Sequence, residues 1–524
     1  MTSSMAGHES LELLQAYFER ISNSAAAKTV LGAVPAVRLN RNETVGRYLE
    51  AIRDIPEGEI LIWEAPLIVT PPAGAGPTCL RCLKKLSSSN DRSACTQCGA
   101  PVCKEKCRVN YHSDEECCAL QNVNANPWDE SMIPLLNAAL TPLRTWMKIK
   151  EDVTIRSIFL SLESFAERRR TMPVGRFITS KIVPLLRDTL GQAEITPDFI
   201  HHCCGVFDTN AIKVRNADDE QGRAVMPFSA MLMHECVPNC DHWFAEGYHV
   251  VRASTPIPKG TVLSINYTSS MLGTQSRQKH LSFTKLFRCQ CKRCLDPTEL
   301  GTHISSVRCR ACKKGLLVPQ NPFNQESSDR SCTPNHSGQE PSDWSCTKCC
   351  TRFSSEMVNT ICRAGSFTSE LSTPEELVDR IEDVQRMVGV QHYGVLQLLL
   401  TLFRAIIRKT AQASTHEELL QLLTASEHLL PVAHILEPGL TLLTGELLLG
   451  NLQARAELST RRLLIGCSSE LALLGTSVPP TTPELVQKRL DKCKRIHQFH
   501  PMLREVVKVA HDFAAPTDLS NGTS

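Results

Sequence analysis

The sequence predicts an α+β protein: one strand-rich unit, split by an insertion, followed by an all-helical C-terminal domain. Three observations carry this expectation. Strand-like segments fall in two separated blocks, near 34–69 and 206–267. Between them lie a dense cysteine cluster and a stretch with apolar residues at helical spacing. From about residue 354 the pattern is helical and opens with helix-capping signals.

The 524 residues leave room for about two to four domains. With 42% hydrophobic and 21% charged residues, the composition is that of an ordinary globular protein. A formal net charge of +2 gives no electrostatic case for direct nucleic-acid binding or for an acidic membrane. The short basic runs, Arg168 to Arg170 and Lys488 to Lys494, read as solvated helix faces. No secretory signal is visible; Leu11, Leu14, Phe18 and Ile21 mark an amphipathic helix in an N-terminal extension, 1–33. No stretch is apolar for long enough to cross a membrane. The richest, Val395 to Ile407, is interrupted by Gln397, Thr401 and Arg404 and reads as a buried helix. Twenty-four cysteines without an export signal point to metal rather than disulfides, hence to an intracellular zinc protein of the nucleus and/or cytoplasm.

In the first strand block, 34–78, Val45 to Ile52 and Ile60 to Trp63 flank a turn at Pro56-Glu57-Gly58-Glu59 and are expected to form a hairpin. Pro71 to Pro77 then breaks the sheet ahead of the cysteine cluster at 79–118. Segment 119–205 is expected to be helical, most clearly over Leu135 to Met147 and Ile155 to Phe165. In 206–270, strands are expected at Val206 to Asn210, Tyr248 to Arg252 and Val262 to Tyr267. A cysteine loop, 271–296, and a second cysteine-rich segment, 297–353, follow; Pro319 to Asp343 is polar and expected to be flexible. In 354–524, Thr373 to Glu376 and Thr415 to Glu418 are capping boxes, with Leu-rich helices at 417–430, 440–456, 459–474 and 483–497. No clean repeat period is present.

The cysteine spacings define metal sites. Cys79, Cys82, Cys95, Cys98, Cys103, Cys107, His112 and Cys117 suit two interleaved tetrahedral zincs. The expected division is Cys79, Cys82, Cys103 and Cys107 on one ion, and Cys95, Cys98, His112 and Cys117 on the other, with Cys118 a rival for the last position. Cys289, Cys291 and Cys294 make a site one ligand short. The candidate fourth ligand lies upstream, in the string Met233 to Cys240, and closing the site would pin Cys236 to Cys289. That makes three zinc sites. Cys309, Cys312, Cys346 and Cys349 would make a fourth, ribbon-like one, with Cys332 and Cys350 as rivals. None of these sets leaves an open position beside a general base, so all read as structural.

The first cluster resembles the MYND zinc finger, although the last cysteine follows the histidine by five or six residues rather than four. The order of Gly46-Arg47, that cluster, the helical stretch, Asn210, the string His234-Glu235-Cys236-Val237-Pro238-Asn239, Tyr267 and the cysteine triplet resembles the SET-and-MYND lysine methyltransferases over 34–296. The helical remainder, with Gln391-His392-Tyr393, resembles the C-terminal domain of that family. Gly46 to Leu49 and the 309–349 cysteines suggest its arthropod-type branch. The resemblance implies a β-rich SET domain split by an inserted MYND finger and a helical segment, then a zinc-binding post-SET region and an all-α domain. It also implies transfer of a methyl group from S-adenosylmethionine to a lysine of a histone or non-histone protein.

Tyr267 is then the catalytic tyrosine, orienting amine and methyl. Gly46, Arg47 and Tyr48 meet the cofactor's methionine portion. Asn210, Met233 and His234 line the rest of the cofactor site, with Tyr267 beside them and Phe287 on the adenine, and Cys236 completes the third zinc. The MYND finger is expected to hold proline-containing peptides, and the chain to be a monomer that regulates transcription on chromatin. Three residues depart from the family pattern: Met233 for an asparagine, Glu235 for a serine, and Lys285 where relatives tend to carry an aromatic. A methionine replaces a donor and acceptor with a weak acceptor. The alternative is therefore a scaffold with weak or no catalysis that binds partner proteins.

Overall fold

The computed structural model describes residues 2–23, 36–72, 74–86, 91–104, 107, 110–121, 131–215, 221–245, 247–322, 344–364, 373–409 and 413–465, with 487, 489, 491, 492 and 495 near the C-terminus. Helix α1 (Thr2–Ser22) belongs to the core of the strand-rich unit. Its Leu14 is fully buried, and Phe18 stacks on Phe228 with ring centroids 3.5 Å apart.

Strands β1 (Val37–Asn42) and β2 (Gly46–Ala51) form an antiparallel hairpin. Asn42 Oδ1 accepts from the amides of Thr44 and Val45 at its turn, and Gly46 takes φ +76°. The expected hairpin between 45–52 and 60–63 is thus replaced. Strand β3 (Ile60–Glu64) is buried along most of its length and pairs with a later strand. The intervening segment is too long for a tight turn, and its buried Ile55 bridges Ile257 instead.

Strand β4 (Ile68–Thr70) leads to the cysteine module, which holds the small hairpin β5 (Arg92–Ala94) and β6 (Pro101–Cys103). Helices α2 (Asp114–Gln121), α3 (Ile133–Ile149), α4 (Val153–Ser161) and α5 (Pro197–Asn210) follow. The strand expected at 206–210 is the end of α5. Thr196 caps that helix by accepting from the Phe199 amide, and Cys203, Val206 and Phe207 bury one face of it. The chain then returns to sheet through β7 (Ile212–Arg215) and β8 (Gln221–Val225), which with β4 make a three-stranded sheet, β4-β8-β7. Two-residue β9 (Met233–His234) pairs in parallel with β12 (Ser264–Ile265). Between them β10 (Cys240–Ala245) and β11 (Tyr248–Ala253) pair with β3 in the order β10-β11-β3. The expected strand at 262–267 is therefore reduced to its centre.

Beyond helix α6 (Thr274–His280), strands β13 (Val307–Arg308), β14 (Leu316–Pro319), β15 (Trp344–Cys346) and β16 (Arg352–Phe353) form a four-stranded antiparallel ribbon. Helices α7 (Ser355–Ala364), α8 (Pro374–Val388), α9 (Tyr393–Ile407), α10 (His416–Leu436) and α11 (Leu442–Ile465) complete the described chain. Both capping boxes form as drawn from the sequence. Helix α10 runs past Pro431 instead of stopping at 430, and α11 is continuous where two helices with a break near 457 were expected. Leu447, Leu448, Ala454 and Leu458 keep one buried face through that break. Most of 323–343, 466–474 and 483–497, including Cys332, lies outside the described residues. Among the described helices α10 is long and apolar enough to cross a membrane, but half of its apolar window is buried against neighbouring helices.

The helical domain is tied to the strand-rich unit by backbone and buried charge. The Leu440 amide donates to the Ser254 carbonyl (2.7 Å), Arg252 donates to the Leu440 carbonyl (2.9 Å), and Asp241 accepts from the Leu442 amide (2.8 Å). Gly439 sits in this seam with φ +83°, and a β-carbon there would overlap the Ser254 carbonyl. Gly439→Ala should lower stability by roughly 2–4 kcal/mol in thermal melting. Gly301→Ala, at the same sign of φ (+77°) but in open space, should cost only about 1 kcal/mol.

Candidate functional site

The expected ligands converge in four tetrads: Cys79/Cys82/Cys103/Cys107, Cys95/Cys98/His112/Cys117, Cys236/Cys289/Cys291/Cys294 and Cys309/Cys312/Cys346/Cys349. A zinc with bonds of about 2.3 Å to sulfur sets a tetrahedron edge of about 3.8 Å. Sulfur pairs in the first tetrad lie at 3.6 and 3.7 Å, in the third at 3.5 and 3.9 Å, and in the fourth at 3.6 and 3.8 Å. In the second, Cys95 and Cys117 are 3.7 Å apart, and His112 Nε2 is 3.5 Å from Cys98. The donors fit zinc. Cys118 is exposed on α2, so Cys117 is the last ligand of its set.

The five-residue spacing from His112 to Cys117 places Glu116 one helical turn after the histidine. His112 Nδ1 donates to Glu116 Oε1 (2.7 Å), which fixes Nε2 toward the metal. Arg144 of α3 grips both oxygens of Glu116 and donates to the carbonyls of Val69 (3.2 Å) and Leu80 (2.9 Å). Burial works against the Glu116 charge, but Arg144 and His112 hold its carboxyl below the usual range. The cysteine module is thereby bolted to β4.

The third tetrad joins two segments. Cys236 follows β9, and the triplet follows α6. Arg277 donates through Nε to Cys236 Sγ (3.3 Å) and through Nη2 to Cys294 Sγ (3.5 Å), a cation placed to favour thiolates. Its Nη1 reaches Glu299 Oε2 (2.8 Å), and Arg293 meets the same oxygen (2.9 Å); all three charges are buried. A zinc tetrathiolate carries two negative charges, and the Arg277–Glu299–Arg293 group returns one positive charge against them. Gln278 clamps Cys289 through both backbone atoms, accepting from its amide (3.0 Å) and donating to its carbonyl (2.6 Å).

This clasp fixes the tyrosine. His234 Nδ1 accepts from the Tyr267 amide (3.1 Å), so the ring proton sits on Nε2 and faces Cys236 Sγ (3.3 Å). Burial pushes the His234 imidazole down to about 4, so it is neutral. The Tyr267 hydroxyl donates to the Leu232 carbonyl, and burial raises its phenol above the ordinary value. His234 lies 5.2 Å from the Tyr267 ring and 5.9 Å from that of Phe287, which is 37% exposed. Met233 is half-buried at the start of β9.

Two of the remaining predicted residues, Arg47 and Asn210, meet the chain at the end of α4. Arg47 donates to the Ser161 carbonyl (2.7 Å) and hydroxyl (3.3 Å), and Asn210 Nδ2 donates to the Glu163 carbonyl (2.8 Å). Gly46 opens the hairpin that aims Arg47, and Tyr48 is half-buried opposite Asn40. The two groups meet through Lys285. Its Nζ donates to the carbonyls of Asp208 (3.1 Å) and Thr209 (2.8 Å) and lies 5.6 Å from the Tyr267 ring centre.

Several contributors escape motif reading. Arg277, Arg293, Glu299, Glu116 and Arg144 are charged residues whose burial no local pattern announces. Asn266 is another: its Nδ2, beside Tyr267, is buried with no partner among the described residues. A buried amide donor without an acceptor is what a polar ligand would satisfy.

These features define a SET-type fold, in which a sheet and a metal-clasped loop enclose one tyrosine. Residues 46–268 match the SET domain family. The chain is similar to SET domain and SET-and-MYND proteins. SET domain-containing protein SmydA-8, isoform B, of Drosophila melanogaster is 31% identical over 298 residues, covering 54% of this chain and 63% of that protein. Histone-lysine N-methyltransferase SMYD3 of Mus musculus is 26% identical, covering 48% and 59%. A SET and MYND domain-containing protein of Dictyostelium discoideum is 26% identical, covering 49% and 81%. The chain thus spans less than two thirds of the length of the first two.

Metal analysis of the purified protein should give four zinc per chain, one for each tetrad. Cys117→Ser should lower this by one equivalent, whereas Cys118→Ser should leave it unchanged. Glu116→Gln should keep the ligands but weaken retention at that site by about tenfold or more in a competition with a chromogenic chelator.

Proposed function

We propose that this chain is a protein-lysine methyltransferase that uses S-adenosylmethionine, acting on histone or non-histone proteins in the nucleus and/or cytoplasm. The observation that carries this reading is Tyr267, held at its amide by His234 and at its hydroxyl by the Leu232 carbonyl, inside the loop closed by the Cys236 clasp. Two curated relatives carry the name histone-lysine N-methyltransferase, which supports the assignment.

When bound, S-adenosylmethionine supplies a methyl group on a sulfonium, and its displacement by an amine depends on alignment and on a neutral nucleophile. Tyr267 stays protonated, because burial raises its phenol; its part is to orient, not to act as a base. The open ring of Phe287 beside His234 offers a stacking face to a purine, and Asn266 Nδ2 a free donor. Gly46, Arg47, Tyr48 and Asn210 would bind the rest of the cofactor, with Arg47 and Asn210 anchored to the turn at 161–163. Met233 offers no strong hydrogen bond, which lowers cofactor affinity by about 1–3 kcal/mol relative to an amide side chain. The MYND module would serve as the dock for proline-containing peptides of a partner, with the chain a monomer.

Met233, together with Lys285 seated at Tyr267, favours a second reading, a scaffold that binds partners with little turnover. Calorimetry separates the two. Saturable binding of S-adenosylmethionine, weakened by Phe287→Ala, supports the enzyme; no binding at millimolar cofactor supports the scaffold. In a labelled-methyl assay Tyr267→Phe should cut transfer by roughly a hundredfold while leaving cofactor affinity within about threefold.

A further inference from the structure

Lys285 is the least expected neighbour of Tyr267. It occupies a turn, Leu281–Lys285, immediately after α6 and within reach of both ends of the site. Nζ has three substituent positions besides its own carbon. Two are taken by hydrogen bonds to the carbonyls of Asp208 and Thr209, and the side chain lies against the face of Tyr267. One position on nitrogen remains.

We propose that Lys285 is an intramolecular methyl acceptor, held at Tyr267 by the carbonyls of residues 208 and 209 and modified there once. The inference rests on the methyltransferase reading above. The electrostatics favour an amine that loses its proton. Burial is the main cause of a lowered affinity for the proton; Asp208 opposes it, and Arg169 and Arg223 add to it, bringing the amine down to about 8. Arg169 (3.5 Å) and Arg223 (3.3 Å) both bind the Asp208 carboxylate, so that one anion faces three cations, and burial, Lys285 and Lys213 lower the affinity of His280 on α6 for a proton. At slightly alkaline pH a substantial fraction of Lys285 is neutral, as displacement requires.

The step is balanced. The ammonium first gives its proton to solvent. The nitrogen lone pair then forms the N–CH3 bond as the sulfonium S–CH3 bond breaks. S-adenosylhomocysteine leaves as a neutral thioether, and the positive charge moves to the methylammonium. A monomethylammonium keeps two N–H groups for the two carbonyls. A dimethylammonium would have to give one up, at a cost of about 1–3 kcal/mol. Modification therefore stops at one methyl group.

The test incubates the full-length, zinc-loaded protein with S-adenosylmethionine and maps its peptides by mass spectrometry. The expected result is a single methyl group on Lys285, appearing at a rate independent of protein dilution. A second readout is binding alone. Lys285→Met should strengthen S-adenosylmethionine relative to S-adenosylhomocysteine by about threefold or more, because a cation next to the sulfonium has been removed. If the cofactor binds and Lys285 stays unmodified, the inference is overturned while the methyltransferase reading stands. If neither cofactor nor product binds, both are overturned.

Discussion

The tetrahedron of Cys236, Cys289, Cys291 and Cys294 is the constraint on which the site depends. It joins a two-residue strand to a loop more than fifty residues later. Removing it would free both walls at once. Its reach goes beyond four sulfurs. The thiolate of Cys236 accepts a hydrogen bond from His234 Nε2, which leaves Nδ1 to accept from the Tyr267 amide, and so decides where the tyrosine backbone lies. From behind, Glu64 at the end of β3 accepts from the amides of Phe228 (3.0 Å) and Ser229 (2.8 Å) and from the Ser229 hydroxyl (2.7 Å). His249 lies 2.9 Å from that hydroxyl, and His242 3.1 Å from His249. Since Ser229 donates to Glu64, the chain of donors runs from His242 through His249 toward the carboxylate. Burial still pushes Glu64 up to about 7. The turn that offers the Leu232 carbonyl to Tyr267 is held by metal on one side and by a buried carboxylate on the other.

The tetrads handle charge differently, and the ligand count explains why. A tetrathiolate carries two negative charges and a Cys3His site one. The tetrathiolate of the clasp, buried at every ligand but Cys291, takes an arginine directly on two of its sulfurs. The buried Cys3His site takes a carboxylate through its histidine, and only then an arginine. The other two tetrathiolates are each open at two ligands, Cys103 and Cys107 and Cys312 and Cys349, where water can solvate the sulfur charge. Burial of the ion, more than its fold, sets the protein groups around it.

What was legible in the sequence was local or ordinal. C-x-x-C pairs fix ligands a few residues apart, and the division of the first eight ligands followed from spacing. Capping boxes are four-residue geometries and appeared as drawn. The order of Gly46-Arg47, His234 to Cys236 and Tyr267 located the site across an insertion. Strand pairing was less legible: β2 and β3 flank a turn signal, yet Ile55 is drawn away to Ile257 and each strand finds another partner. Residues 206–210 read as β-branched and aromatic because the helix signal, Thr196-Pro197, lies ten residues upstream. Buried charges were invisible, since whether Arg277 can be buried depends on Glu299 and on a metal, and neither is a property of its neighbours in sequence.

That misread helix end also bears on the site. A helix leaves its last carbonyls without intrahelical donors, and a cation there is stabilised by the helix dipole. Helix α5 ends at Asn210, and the carbonyls of Asp208 and Thr209 are taken by Lys285. Capping alone would explain the hydrogen bonds. It does not explain why the amine lies against Tyr267, nor why a site with Arg169 and Arg223 already on Asp208 should draw in a third cation. An exposed lysine would cap the helix without the desolvation that drives this amine toward neutrality. The cap fixes the nitrogen's position, and burial, aided by the two arginines, lowers its affinity for the proton. Had 206–210 been a strand, those carbonyls would have been satisfied by a neighbouring strand, and Lys285 would have had no anchor beside Tyr267.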